Sequence, residues 1–140
     1  IAIGIDMFDC VIQTRHSRSG LFYTSQGRIR ITDTKYRSDM YLLDISCSCY
    51  ICTNFTRAYL NHFFRTGEIL SAILTTIHNL TWFAKFMADM RTAILNKKFT
   101  EYREWVHSIY PEKSESDQKA NSKNKSTKIT NIKIKKPLFE

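Results

Sequence analysis

Three of the four cysteines of this chain lie within six residues, in the segment CSCYIC. Cys47, Cys49 and Cys52 have the spacing C-x-C-x2-C, whereas Cys10 lies far upstream. Three thiols so close together favour a metal site, because zinc prefers thiolate and imidazole ligands and disulfides are disfavoured inside cells. The fold must therefore bring a fourth donor onto this segment.

Two downstream histidines are candidates for the fourth ligand. His62 lies ten residues beyond Cys52 and His78 twenty-six beyond, and both fall in segments with helical periodicity. Their spacing leaves both open, although His78 has more chain with which to fold back. Four protein ligands leave no position for water, so we expect one structural zinc ion per chain. The alternative is three reduced cysteines beside two ordinary histidines.

The hydrophobic pattern predicts strands in the first part of the chain. Residues 2–12 form a short apolar run rich in β-branched residues, which favours a strand buried on both faces. The segment QTRHSRSG, residues 13–20, is typical of a loop because it ends in serines and glycine. LFYTSQGRIRIT then predicts a β-hairpin around Gln26-Gly27.

Helices are predicted in the second part. From Asn54 onward the apolar residues recur with a period of about 3.6. We expect Gly67 to separate two helices, the second of which runs to about Leu95. FTEYREWVHSIY predicts a last short helix, ended by Pro111.

Composition distinguishes the body of the chain from its C-terminal segment. The hydrophobic fraction of 43% is sufficient for a packed core. Residues 111–140 contain eight lysines and four acidic residues of a chain with net charge +8, which predicts a disordered basic tail. Such a tail either attracts RNA phosphates non-specifically or is simply solvated. No apolar run approaches the roughly 20 residues of a membrane span, and we expect a soluble, cytoplasmic protein with no membrane partner.

Five segments occur in one order and together resemble a known family: GIDMFDCVIQTR, LFYTSQGRIRI, CSCYIC, RAYLNHFFRTGEIL and TIHNL. They resemble the C-terminal part of bacterial queuine tRNA-ribosyltransferase, or tRNA-guanine transglycosylase, over about residues 3–108. The resemblance implies an α/β fold, the C-terminal fragment of a (β/α)8 barrel with an inserted zinc-binding subdomain made of a short β-hairpin and helices. It divides the chain into three regions. Residues 1–20 are the end of the barrel, with the nucleophile strand and an RNA-reading loop. Residues 21–110 contain the hairpin, the zinc-binding subdomain and the C-terminal helices, and residues 111–140 are the disordered tail.

The resemblance also implies roles for individual residues. The last aspartate of GIDMFD, the family's nucleophile, corresponds to Asp9. The zinc ligands correspond to Cys47, Cys49, Cys52 and His78, which selects His78 over His62. The loop that reads the anticodon corresponds to Thr14, Arg15, His16, Ser17 and Arg18. The family usually has proline before Thr-Arg, whereas this chain has Gln13, which predicts a less rigid loop.

The implied reaction exchanges guanine at the wobble position of the tRNA anticodon for a 7-deazaguanine precursor of queuosine. In this scheme Asp9 forms a covalent aspartyl-ribosyl intermediate, which the new base displaces. A whole barrel takes roughly 250 residues, so we expect this chain to be the C-terminal portion of a homodimeric parent enzyme and to be inactive alone. The alternatives are a non-catalytic zinc-stabilised RNA-binding module and a dimerisation module, with Asp9 as a structural acid.

Overall fold

The structure is a computed structural model that describes residues 3–5 and 7–111. The predicted tail lies outside the described residues apart from Pro111. The elements, in chain order, are α1 (Ile12–Ser17), β1 (Leu21–Thr24), β2 (Gly27–Arg30), a 3-10 turn (Thr34–Tyr36), α2 (Tyr50–Asn54), α3 (Arg57–Thr66), α4 (Ile69–Leu95) and α5 (Phe99–Ile109). Within this part of the chain, none of the helices has both the length and the hydropathy of a membrane span.

The predicted β-hairpin is confirmed. Strands β1 and β2 are antiparallel, with Leu21 opposite Arg30 and Thr24 opposite Gly27. Ser25 and Gln26 form the two-residue turn, after which Gly27 has a φ of 111°, a value that side chains rarely tolerate. The hairpin is therefore closed by local turn chemistry.

The predicted helices from Asn54 onward are also confirmed, with sharper ends. Helix α3 begins at the N-cap Thr56, whose hydroxyl accepts a hydrogen bond from the Tyr59 amide (3.3 Å). It ends at Gly67, whose left-handed φ of 75° separates it from α4. Helix α4 ends at Leu95, as expected, and α5 ends two residues before Pro111.

The core lies between the hairpin and helices α2, α3 and α4. Helix α4 is central to this arrangement, because it packs against α1, β1, α2, α3 and α5. The largest apolar side chains that are fully buried are Phe22, Ile31, Leu43, Ile51 and Leu60. The cysteine segment is part of this core, since Cys49 and Cys52 belong to the same cluster of buried residues.

The prediction of a buried strand over residues 2–12 is wrong for the part of that range that the structure describes. Residues 7–11 form neither helix nor strand and are exposed, and residues 12–17 of the predicted strand and loop form α1. A strand buried on both faces needs hydrogen-bonded neighbours on both edges. One edge of β1 pairs with β2, and side chains of α4 hydrogen-bond the other edge. Residues 7–11 therefore cannot pair with β1 as a further strand.

Candidate functional site

Two neighbouring side chains of α4 hydrogen-bond the open edge of strand β1. The Oδ1 atom of Asn79 accepts from the Tyr23 amide (3.1 Å), and its Nδ2 donates to the Leu21 carbonyl (3.0 Å). The Nε2 of His78 donates to the Tyr23 carbonyl (2.8 Å). Both side chains are fully buried. The strand thus fixes the orientation of the imidazole of His78.

That orientation turns the other ring nitrogen of His78 toward the cysteines. Its Nδ1 lies 3.3 Å from the Sγ of Cys49 and 3.4 Å from the Sγ of Cys52. With Cys47, the four potential ligand atoms all lie within 4.8 Å of one another. Because Nε2 carries the proton that it donates to Tyr23, Nδ1 keeps the lone pair that a metal requires.

The dimensions of this cluster suit a tetrahedral ion. Zinc–sulfur bonds of about 2.3 Å and zinc–nitrogen bonds of about 2.0–2.1 Å place neighbouring ligand atoms roughly 3.6–3.8 Å apart. The distances from His78 to Cys49 and Cys52 are within a few tenths of an ångström of those values. Cys47, Cys49, Cys52 and His78 therefore fit a structural metal ion with three sulfur ligands and one nitrogen ligand.

The environment of the thiols favours a cation. Burial raises the pKa of Cys49, but the interactions of its sulfur with His78 and with the Cys52 amide outweigh it and bring that pKa to about 6. Burial and the neighbouring sulfur atoms raise the pKa of Cys52, and burial is the main cause that raises that of Cys47. A divalent cation stabilises thiolates, so its binding would release protons from these two thiols.

A buried carboxylate connects the cysteine segment to the turn of the hairpin. Asp44 accepts hydrogen bonds from the amide (2.7 Å) and hydroxyl (2.9 Å) of Ser25, and from the amide (2.9 Å) and hydroxyl (2.8 Å) of Ser46. Burial raises the pKa of Asp44, but these hydrogen bonds outweigh it and hold the pKa below the usual range. Asp44 thereby positions the chain that leads into Cys47.

His62 is exposed on α3 and lies outside the cluster. Of the two histidines that spacing left open, packing therefore brings His78 to the cysteines. This outcome depends on α4 crossing the edge of β1, which no local feature of the sequence indicates.

The residues predicted to contact RNA lie on or next to α1. Thr14, Arg15 and Arg18 are exposed, and His16 is partly buried with its Nδ1 2.6 Å from the Tyr23 hydroxyl. Burial and the nearby arginines lower the pKa of His16, which favours the neutral ring at pH 7.

Ser17 differs from the other members of this group. It is fully buried, donates to the Gln13 carbonyl (2.5 Å) and accepts from Asn79 (3.1 Å). Its side chain therefore anchors α1 to α4 and lies away from the surface. The expectation that it contacts RNA needs this correction, because the region is a helix that turns Ser17 inward.

Asp9 lies in the exposed segment that precedes α1, apart from the cysteine cluster. The structure therefore places Asp9 where another molecule can reach it.

Sequence reasoning missed Tyr23, Asp44 and Asn79. Asn79 directly follows the predicted ligand in TIHN, and Asp44 begins the pattern Asp-x-Ser, which is common in turns. Tyr23 has no such signal, because it orients His78 and Asn79 through its backbone carbonyl and amide and not through its side chain.

The fold and the cluster together define a small helical domain with a β-hairpin and a candidate structural metal centre. The sequence matches the family described as Queuine tRNA-ribosyltransferase over residues 1–112. The chain belongs to the queuine tRNA-ribosyltransferase family, as its motifs indicated.

Individual relatives agree with this assignment. The protein named Queuine tRNA-ribosyltransferase from Dechloromonas aromatica is 55% identical over 102 residues, which are 73% of this chain and 28% of that protein. The protein of the same name from Ralstonia nicotianae is 52% identical over 103 residues, covering 74% of this chain and 27% of that protein. The one from Thermodesulfovibrio yellowstonii is 49% identical over 104 residues, with coverages of 74% and 27%. The chain thus spans little more than a quarter of the length of these relatives.

Proposed function

We propose that this chain is the C-terminal portion of a tRNA-guanine transglycosylase, which exchanges guanine at the anticodon wobble position for a 7-deazaguanine base. The observation that carries the proposal is a family match over residues 1–112 that includes both the GIDMFD motif and the four candidate metal ligands. The relatives are named for queuine and for transfer of a tRNA ribosyl group.

Zinc is the ion that we propose for the cluster, at one per chain and in a structural role. Three thiolates and one imidazole are a ligand set that zinc prefers, and they leave no position for substrate or water. The ion would join the cysteine segment to α4 beside β1, through Cys47, Cys49, Cys52 and His78.

Asp9 is the proposed nucleophile. One of its carboxylate oxygens bonds to C1′ of the ribose while the bond between C1′ and guanine breaks, and that bonding electron pair leaves with guanine. The departing guanine takes up a proton. The incoming base then bonds to C1′ through a ring nitrogen, loses the proton of that nitrogen and displaces the carboxylate, so two inversions give net retention. The exposure of the Asp9 carboxylate is consistent with this role.

The remainder of the parent enzyme would cover the segment around Asp9. Six apolar side chains of this segment are exposed in the described chain: Ile3, Ile5, Met7, Phe8, Val11 and Ile12. Burying such residues is favourable by roughly 1.5–3 kcal/mol each, and the other strands of a (β/α)8 barrel would bury them. Inactivity of the chain alone, its division at residues 20 and 110, the homodimer and the cytoplasmic location stay predictions.

The test is a chimera in which residues 3–108 of this chain replace the corresponding segment of the Dechloromonas aromatica relative. We expect the chimera to exchange labelled guanine in tRNA and to form a denaturant-stable adduct with tRNA and a base analogue. Asp9→Asn keeps the shape but not the charge, so it should reduce exchange by more than about a thousandfold and abolish the adduct. Asp33→Asn, at an exposed aspartate, is the matched control.

Exchange at the unmodified rate by the Asp9→Asn chimera would refute the nucleophile assignment. A folded, zinc-loaded chimera that binds tRNA without exchanging guanine would favour the non-catalytic RNA-binding module instead.

A further inference from the structure

Two arginines of the hairpin project from the same side of strand β2. Arg28 and Arg30 are two residues apart and exposed, whereas Ile29 between them is buried, as the alternation of side chains in a strand requires. In the described chain the ion pairs are Arg57–Asp39 and Lys85–Asp89, so neither hairpin arginine has a carboxylate partner there. Arg28 lies against an aromatic ring, with its guanidinium carbon 5.7 Å from the centroid of Tyr110.

Helix α1 lies beside this side of the hairpin. Tyr23, the register partner of Arg28, stacks on His16 of α1 at a centroid distance of 5.9 Å and is hydrogen-bonded to it. Burial is the main cause that lowers the pKa of His16, and the positive charges of Arg28, Arg15 and Arg30 lower it further. The contact between His16 and Tyr23 therefore joins α1 to the side of the hairpin that carries Arg28.

We propose that Arg28 and Arg30 of the hairpin join Arg15 of α1 and Arg18, which directly follows α1, in a single surface that binds the backbone phosphates of RNA. This inference rests on the proposed function, since it extends the contact with tRNA from α1 to the hairpin. It assigns to β2 a binding role that the sequence motifs did not indicate.

Charge and chemistry favour a phosphate backbone as the occupant. Clustered guanidinium groups without acidic partners repel one another, and a polyanion removes that cost. The planar guanidinium can donate two parallel hydrogen bonds to the oxygens of one phosphate. Arginines therefore suit this ligand better than lysines, whose ammonium group acts as a point charge. An acidic protein segment would satisfy the charge alone, and the experiment below separates it from RNA.

The experiment measures binding of a synthetic anticodon stem-loop RNA to the full chain by fluorescence anisotropy, between 50 and 200 mM salt. The test variant is Arg28→Gln with Arg30→Gln. The control is Arg91→Gln with Arg103→Gln, which removes the same charge from exposed sites on α4 and α5. Arg91 lies twelve residues along α4 from Asn79, about 18 Å, and hence away from α1.

The expected result follows from counterion release. Loss of two phosphate contacts should reduce the slope of log affinity against log salt by about 1.4–1.8. Over that salt range the unmodified chain would then lose about sevenfold to twelvefold more affinity than the hairpin variant. The control pair should keep the original slope, and all proteins should keep their zinc content and circular dichroism. If the double variant misfolds, Arg30→Gln alone should still reduce the slope by about 0.7–0.9.

Three results would overturn the proposal: an unchanged slope in the hairpin variant, an equal loss in the control pair, or no salt-dependent binding of the RNA by the unmodified chain. An unchanged slope would show that these arginines do not contact RNA phosphates and would favour another partner, such as an acidic protein segment. The exchange assay of the chimera keeps this failure separate from failure of the proposed function. If the chimera exchanges guanine but the hairpin variant keeps the original salt slope, only the proposed RNA-binding surface is rejected. If the slope falls as expected but the chimera does not exchange guanine, only the proposed enzymatic function is rejected.

Discussion

Replacing Asn79 by alanine should destabilise the fold more than any surface change, because one buried side chain joins three elements. Asn79 accepts from the Tyr23 amide and donates to the Leu21 carbonyl and the Ser17 hydroxyl. Asn79→Ala leaves the buried Tyr23 amide without an acceptor, which costs about 1–3 kcal/mol, and removes two further hydrogen bonds worth about 1 kcal/mol each. We expect the free energy of unfolding to fall by about 3–5 kcal/mol.

The assay is urea unfolding followed by circular dichroism, with every protein at the same saturating zinc concentration so that metal binding contributes equally. The matched control is Asn54→Ala, because Asn54 and its hydrogen bond to the Tyr50 carbonyl (2.8 Å) are exposed to solvent. The control should change the free energy of unfolding by no more than about 0.5 kcal/mol. A loss below about 1 kcal/mol for Asn79→Ala would show that this side chain does not hold α1 and β1 on α4.

Two further predictions concern the surroundings and the ligands of the metal cluster. The pKa of Asp44 is lowered in the folded state, so its carboxylate stabilises the fold above the ordinary aspartate pKa, and this contribution is lost as pH falls through the folded pKa. Asp44→Asn should therefore cost about 1.5–3 kcal/mol at pH 7 and progressively less in acid, as measured by urea unfolding from pH 7 to pH 3, and a cost independent of pH would contradict this assignment. His78→Ala should abolish stoichiometric zinc while His62→Ala retains it, and metal analysis with the opposite result would overturn the choice of ligand.

Local features of the sequence were sufficient to predict the hairpin and the later helices. The turn at Gln26-Gly27 and the left-handed Gly67 are chemical signals that depend on a few neighbouring residues. The three cysteines of the cluster are equally local, since their spacing alone indicated a metal site.

Non-local contacts explain what could not be predicted. Spacing could not choose between His62 and His78, because the choice depends on α4 packing across β1. The predicted strand was wrong over residues 7–11, because an apolar run forms a strand only where neighbouring strands can hydrogen-bond to it. Ser17 was taken for a surface residue of a loop, whereas α1 directs it toward Asn79.

The central claim is that the four converging side chains hold one structural zinc ion, and X-ray absorption spectroscopy of the full chain tests it most directly. We predict one zinc per chain, with three sulfur ligands at about 2.3 Å and one nitrogen ligand at about 2.0–2.1 Å, from Cys47, Cys49, Cys52 and His78. A folded chain that binds no metal, or a zinc spectrum with water or carboxylate oxygen in place of any of these ligands, would contradict the claim.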